Sequence, residues 1–363
     1  MSRSDSTLSE ITNTLIRRKL GARSLIAKHG VRKVVVLGAG VSKVFGLPLA
    51  CDLLRDMIEW QRQNGKTSDL ERIFEFLEYF YPAFRRNHTK FPLAEDVLAM
   101  MEVALEYNKI RSSISRGNRW RDGEIQNRKS TFLRLLCEYL WSFQESIRLT
   151  KFLPFQKFVR ANGTGVIYVT FNYDLLLESA LSVEQIPFSY TLQFNRNEVS
   201  VLKPHGSINW FKKSTNLATG TGAFVLGDHI DAWGVVRNDP GDCIKVCPTL
   251  NPATLKFRKW REPVIIPPTP MKQVENPDLK RIWASFSSAI NATPRLEIIG
   301  YSLPVADRLA RLVLRKAGPP HHHRRNIIVV NPGRVKKTYR EAICEGCNFE
   351  KIKFDKWVLR GCI

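Results

Sequence analysis

The sequence predicts an α/β fold built on a doubly wound parallel sheet, and three observations carry the prediction. Short apolar runs at Val34-Val35-Val36-Leu37, Gly165 to Thr170, Arg295 to Gly300 and Asn326 to Asn331 read as strands buried on both faces. Amphipathic helical segments lie between them, the alternation expected of parallel strands joined by crossovers. The first run ends in Gly38-Ala39-Gly40-Val41-Ser42. Glycines there let the backbone turn sharply and approach a ligand with no Cβ in the way. A helix following them would favour an anion at its first N–H groups. The pattern is Rossmann-like, with a long helical insertion after the first strand.

Taken in order, residues 1–30 read as a helical arm, with Leu8, Ile11, Leu15 and Leu20 near helical spacing. Residues 31–48 hold the first strand and its glycine turn. Leu49 to Tyr107 reads as helices, carried by Leu53-Leu54, Met57-Ile58, Leu70, Ile73-Phe74 and Leu77 and by a second block from Leu93. Ser112 to Arg128 is polar and glycine-containing, hence a loop. Thr131 to Ile147 is a further amphipathic helix, so residues 49–150 form the helical insertion of a domain spanning 31–363.

The strand Gly165 to Thr170 runs into Phe171-Asn172-Tyr173-Asp174 and then a helix from Leu175 to Leu181. Val199 to Leu202 is a brief strand ending in Lys203-Pro204-His205-Gly206-Ser207. Residues 207–262 read as loop-rich. Pro263 to Pro268 is a strand cut short by prolines. A helix from Leu279 to Ile290, the strand to Gly300, a helix from Val305 to Lys316 and the strand to Asn331 complete the alternation.

Composition bounds the class. With 363 residues, 44% hydrophobic and 10% aromatic, the chain can build a substantial core. No apolar stretch approaches the ~20 residues that span a bilayer. The segment Met1 to Lys28 lacks the apolar core of a signal peptide, so a cytoplasmic location is expected. Seven cysteines fit a reduced compartment. Cys243-x3-Cys247 and Cys344-x2-Cys347 have metal-like spacing but lie far apart, and His321-His322-His323 falls in a predicted loop; no metal is expected. A solvated face is the commoner explanation for each basic cluster, while the summed net charge of +22 also suits an acidic macromolecular partner, DNA included.

Polar residues fall in an unusual place. Ser42, Asn172, Asp174, His205, Ser302 and Asn331 each lie just past the C-terminal end of a predicted strand. Each has a structural reading: Asn172 or Asp174 as a helix N-cap, His205 packed in a turn, Ser302 and Asn331 ahead of Pro304 and Pro332. In an open α/β sheet, however, those ends share one edge, where ligands bind.

Gly38-Ala39-Gly40-Val41-Ser42, Thr170-Phe171-Asn172-Tyr173-Asp174, His205-Gly206-Ser207, Gly300-Tyr301-Ser302 and Val330-Asn331 resemble, in order, the NAD-binding motifs of sirtuins. The Lys203-x-His205-Gly206-Ser207 element, Pro267-Pro268-Thr269 before Lys272, Trp283, and Gly300-Tyr301-Ser302-Leu303-Pro304 with Asp307 are similar to the prokaryotic SIR2-like branch of anti-phage defence systems. The resemblance covers about residues 30–335. It departs from the protein-deacylating members. Gly46-Leu47-Pro48-Leu49-Ala50 replaces their Gly-Ile-Pro-Asp-Phe-Arg, Pro267-Pro268-Thr269 stands for the peptide-holding segment, and the 207–262 stretch for the zinc ribbon.

What the resemblance implies is NAD as substrate, with Asn172 and His205 catalytic. Asp174 would hold the carboxamide. Gly38, Ala39, Gly40, Ser42 and Ser302 would cradle the diphosphate, and Asn331 would face the adenosine ribose. Asp307 would contact the cofactor or stand behind such a contact. The implied activity is an NAD glycohydrolase releasing ADP-ribose and nicotinamide, the NAD-depleting effector of a bacterial anti-phage system. Two alternatives stay open: an NAD-dependent protein deacylase or ADP-ribosyltransferase, and a non-catalytic module binding nucleic acid or a partner. Members of this branch also imply a homo-oligomer and a HerA-type ATPase partner.

Overall fold

The computed structural model describes residues 31–111, 121–147, 149–190, 197–212, 244–246, 263–267, 276–318 and 326–361. In chain order the first half comprises β1 (Lys33–Leu37), α1 (Ala39–Lys43), α2 (Ala50–Gln63), α3 (Thr67–Phe80), α4 (Pro82–Arg86), α5 (Ala94–Arg111), α6 (Asp122–Ser146) and α7 (Leu149–Asn162). There follow β2 (Val166–Thr170), α8 (Leu176–Val183), β3 (Phe188–Ser189), β4 (Val199–Leu202), β5 (Gly206–Lys212), β6 (Ile244–Val246) and β7 (Pro263–Ile265). The last part is α9 (Pro277–Ala292), β8 (Arg295–Ile299), α10 (Arg308–Arg315), β9 (Asn326–Val330), α11 (Lys336–Ala342), β10 (Asn348–Glu350) and α12 (Phe354–Leu359).

Seven strands form one sheet in the order β10-β9-β8-β1-β2-β4-β3. All its described pairings are parallel. The chain leaves β1 toward β2 and β4, then returns to the far side of β1 for β8 and β9. The β1–β8 boundary is therefore the point where the winding reverses, and an open sheet leaves a crevice there. Register makes the edge level: Leu37 lies opposite both Thr170 and Ile299. The doubly wound sheet is the one the apolar runs predict, with Val34, Val35, Val36, Ile167, Val169 and Ile298 fully buried.

Helices α2 to α7 fill the connection between β1 and β2. Buried Gln61 of α2 donates its side-chain amide to the Leu135 carbonyl of α6 at 2.9 Å. Gln144 of α6 donates to the Leu175 carbonyl at 3.3 Å, tying the insertion to the turn after β2.

The structure corrects the sequence reading in several places. α6 begins at Asp122, so residues 122–128 are helical and not loop. The Arg121 N–H donates to Glu124 Oε2 at 3.0 Å and closes the first turn, while Ile125 is buried. α7 extends the insertion to Asn162 despite Pro154 inside it. α10 starts at Arg308 and not Val305, because Asp307 is its N-cap and accepts the Ala310 N–H. The supposedly loop-rich 207–262 stretch contains two strands. β5 pairs antiparallel with β6 and β7, and Trp210 is fully buried with its ring 5.1 Å from that of Tyr190. Beyond Asn331, where no element was expected, β10 supplies the seventh strand. The N-terminal arm, residues 112–120, Cys243, Cys247 and the histidine run lie outside the described residues. Among those described, no helix is long and apolar enough to cross a membrane.

Candidate active site

Two turns meet at the winding reversal. The Gly38 N–H donates to the Ile299 carbonyl at 3.0 Å, and the Gly40 N–H to the Gly300 carbonyl at 2.8 Å. A Cβ added to Gly38 would lie 2.5 Å from Tyr301 Cα, and one on Gly40 2.8 Å from Gly300 Cα. Gly300 itself has φ +65°. The glycines thus let the β1 and β8 turns touch, a packing requirement beside the ligand approach that their spacing predicts. Two of the turn's N–H groups are satisfied by protein carbonyls, and α1 is only five residues long.

A chain of polar side chains crosses from β1 to β2. The Asn172 amide donates to the Gly38 carbonyl at 3.1 Å and to Ser42 Oγ at 2.9 Å. Ser42 Oγ donates in turn to Asp174 Oδ2 at 2.7 Å. Asp174 Oδ1 accepts the Leu176 N–H at 3.0 Å, so this residue also serves the start of α8, the structural role open to it from sequence. Behind it, Lys203 Nζ donates to the Asp174 carbonyl at 2.6 Å and to Glu178 Oε1 at 2.9 Å. Lys203 and Glu178 are fully buried, and the Tyr190 hydroxyl donates to the same Glu178 oxygen. Burial pushes the Asp174 carboxyl above its ordinary range; the Lys203 charge and the Ser42 and Leu176 hydrogen bonds oppose that rise.

His205 sits in a tight turn between β4 and β5. Gly206 closes it at φ +82°, where a Cβ would lie 1.8 Å from the Val264 carbonyl oxygen of β7. The Ile266 N–H donates to the His205 carbonyl at 2.9 Å. Aromatic rings surround the imidazole, with centroids 4.8 Å away for Phe171, 6.1 Å for Trp283 and 6.4 Å for Tyr173. Phe171 stacks on Tyr301 at 4.4 Å. His205 Nε2 stands 2.9 Å from Asp307 Oδ2, meeting it obliquely and not along the line of a hydrogen bond. The Tyr301 hydroxyl donates to that same oxygen at 2.6 Å. Burial and the Asp307 carboxylate hold the Tyr301 phenol well above its ordinary range, so it remains a donor at neutral pH.

Tyr301 joins the remaining strand ends. Its carbonyl accepts the Asn331 amide at 3.1 Å and the Tyr339 hydroxyl at 2.8 Å. Ser302 is exposed on the same edge, and Ala39 is half-buried at the start of α1. The structure therefore bonds Ser42, Asn172 and Asp174 directly, and links Asp307 and Asn331 through Tyr301, with His205 at ion-pair distance from Asp307. Sequence reasoning gave no role to Tyr301, Lys203 or Glu178, although Lys203 and Tyr301 lie inside the quoted motifs. Glu95 of α5 carried no sequence signal. Burial raises its carboxyl to about 7, its Oε2 is shut off from solvent with no hydrogen bond, and its charge is felt at Tyr173.

The arrangement offers a fixed carboxamide, a buried carboxylate, an imidazole in an aromatic enclosure and level strand ends. Among the described residues, no group of three or more His, Cys, Asp or Glu is placed to hold a metal.

No family model and no curated protein matches the chain. Solved structures do. Sir2Tm bound to a propionylated peptide is similar at 13% identity and a TM-score of 0.36, covering 91% of each chain. A mutant Sir2 homologue in complex with ADP-ribose is similar at 13% identity and a TM-score of 0.41, over 93% of this chain and 92% of that one. Sir2 with a peptide and NAD+ is similar at 11% identity and a TM-score of 0.36, over 93% of this chain and 94% of that one.

Proposed function

We propose that the chain is an NAD glycohydrolase that cleaves NAD to ADP-ribose and nicotinamide. The observation that carries this reading is the relation of Asn172 to His205. They follow neighbouring strands β2 and β4, one in a fixed polar chain and the other in an aromatic enclosure. The motif resemblance supplies the substrate. The residues present fit it: flat aromatic faces beside His205 suit a nicotinamide ring, and hydrogen-bonding side chains at successive strand ends suit ribose and phosphate oxygens.

The nicotinamide–ribose bond breaks through an oxocarbenium-like transition state, as in glycoside cleavage. Nicotinamide leaves as a neutral molecule from a cationic precursor, so no strong general acid is needed. The protein must orient the ribose, keep bulk water out and place one water. The Asn172 NH2 is held by Gly38 and Ser42, which presents its Oδ1 as an acceptor for that water or a ribose hydroxyl. His205 takes the proton, a task imidazole performs near neutral pH. Asp174 holds the carboxamide. The balance is NAD+ and water giving ADP-ribose, nicotinamide and a proton.

The same resemblance supports a cellular role as the NAD-depleting effector of a bacterial anti-phage system, acting as a homo-oligomer with a HerA-type ATPase. Turnover by Asn172→Ala, measured beside wild type with folding checked by circular dichroism, tests the mechanism. Loss of turnover in a folded variant supports it, and undiminished turnover removes Asn172 from the reaction. ADP-ribose released with no acceptor present separates hydrolysis from deacylation or ADP-ribosyl transfer.

A further inference from the structure

The geometry points to Asp307 as the positioning residue of His205, forming with it and Tyr301 a carboxylate–imidazole–phenol unit that fixes which imidazole nitrogen acts as the base. The first support is placement. Asp307 is 1% exposed, and its Oδ2 stands 2.9 Å from His205 Nε2. The second is rigidity. Asp307 Oδ1 accepts the Ala310 N–H as the N-cap of α10, and Oδ2 accepts the Tyr301 hydroxyl at 2.6 Å. The third is the turn delivering it: Leu303, buried, has φ 53°, a conformation that needs support from its surroundings, and its carbonyl accepts Arg311 Nη1 at 2.9 Å.

A carboxylate at ion-pair distance, though off the hydrogen-bond line, favours the proton on the nitrogen that faces it. Neutral His205 is then the Nε2–H tautomer with its lone pair on Nδ1, the logic by which a carboxylate orients a catalytic histidine elsewhere. When Nδ1 takes a proton from water or a ribose hydroxyl, the imidazolium charge forms beside Asp307, which stabilises it without accepting the proton. Asp307 thus acts through His205 and does not touch the substrate. Among the described residues, the Tyr173 phenol and the Trp283 ring of α9 also lie beside the imidazole, the Tyr301 phenol reaches Asp307 behind it, and the charges of Glu95 and Glu102 of α5 are felt at Tyr173.

The inference rests on the hydrolase reading only for its kinetic consequence, and two readouts keep the two apart. The first is NMR titration of histidine-labelled full-length protein, with the His205 signal assigned by its loss in His205→Ala. Asp307→Asn can keep the helix cap through Oδ1, but it removes the charge and puts an NH2 donor where Oδ2 accepted the Tyr301 hydroxyl and faced His205. It is expected to lower the His205 pKa by about one unit or more and to release the tautomer preference. Tyr301→Phe, which frees the shared oxygen while keeping the Phe171 stack, is expected to raise that pKa. Opposite shifts from these variants cannot come from a general loosening of the fold. Unchanged His205 titration in both, or an Nδ1–H tautomer in wild type, overturns the proposal. The second readout is NAD turnover across pH. Asp307→Asn is expected to lose at least about tenfold in kcat, with its acidic limb moved to lower pH. Coupled NMR shifts without turnover in any protein would leave the unit standing and overturn only the hydrolase reading.

Discussion

Ser42 donates its hydroxyl to Asp174 at 2.7 Å while accepting the Asn172 amide at 2.9 Å, so one buried hydroxyl sets the orientation of both neighbours. Ser42→Ala leaves the Asn172 amide with only the Gly38 carbonyl and removes a donor from a buried carboxylate. The expected result is a loss of about 1–3 kcal/mol in stability, from an unsatisfied buried group, and a fall in NAD turnover of at least about tenfold. Urea unfolding and initial rates check it; full activity would show that Asn172 is oriented by something else.

Gly300 is packed as tightly as Gly38 at the β1–β8 junction. A Cβ there would lie 2.5 Å from Val41 N and 2.8 Å from Gly40 C, at φ +65°. Backbone cannot move aside as a side chain can. Gly300→Ala is expected to destabilise by more than the ~1 kcal/mol of an ordinary glycine substitution and to weaken NAD binding in whatever fraction folds. Wild-type unfolding midpoints in the variant would contradict the packing described.

Lys203 and Glu178 form an ion pair in which both side chains are fully buried. Removing one partner leaves a charge in the interior. Lys203→Met is expected to cost about 3–5 kcal/mol, and the double variant with Glu178→Leu to recover much of that. Denaturant titrations of the two single variants and the pair measure the coupling directly. Additive losses would mean that the charges do not stabilise one another.

Glu95 gives the fold a pH dependence. Its carboxyl is raised by burial from 4.5 to about 7, so the folded state holds a proton that the unfolded chain has released. The resulting stability is fully present below about 4.5 and is lost as pH rises through about 7. Glu95→Gln removes the ionisation. Wild type is therefore expected to lose up to about 3 kcal/mol relative to this variant between those limits. Unfolding midpoints at pH 5 and pH 8 read the difference, and parallel behaviour would contradict the burial described.

The strands were legible because a strand buried on both faces writes itself as an unbroken apolar run. Val34 to Leu37, Val166 to Thr170 and Asn326 to Val330 appear where those runs lie. The site residues were legible for a related reason: a polar residue directly after such a run stands out. β5 was not legible, because Ser207 and Asn209 interrupt it and its partners β6 and β7 come from distant parts of the chain. The start of α6 was hidden by Gly123 in its first turn. Tyr301 looks like any core aromatic in sequence. Its role as a hub depends on contacts from Phe171, Asp307, Asn331 and Tyr339, which no local pattern records. The two leading glycines carry, beside the ligand-facing turn that their spacing predicts, a packing role that the spacing does not record: they seat one turn against another.

The most direct test is to incubate the purified chain with NAD, no acceptor present, and to quantify the products of wild type and His205→Ala. The account predicts equal amounts of nicotinamide and ADP-ribose from wild type and none from the folded variant. Equal turnover by His205→Ala, or NAD recovered intact from both proteins, would contradict it.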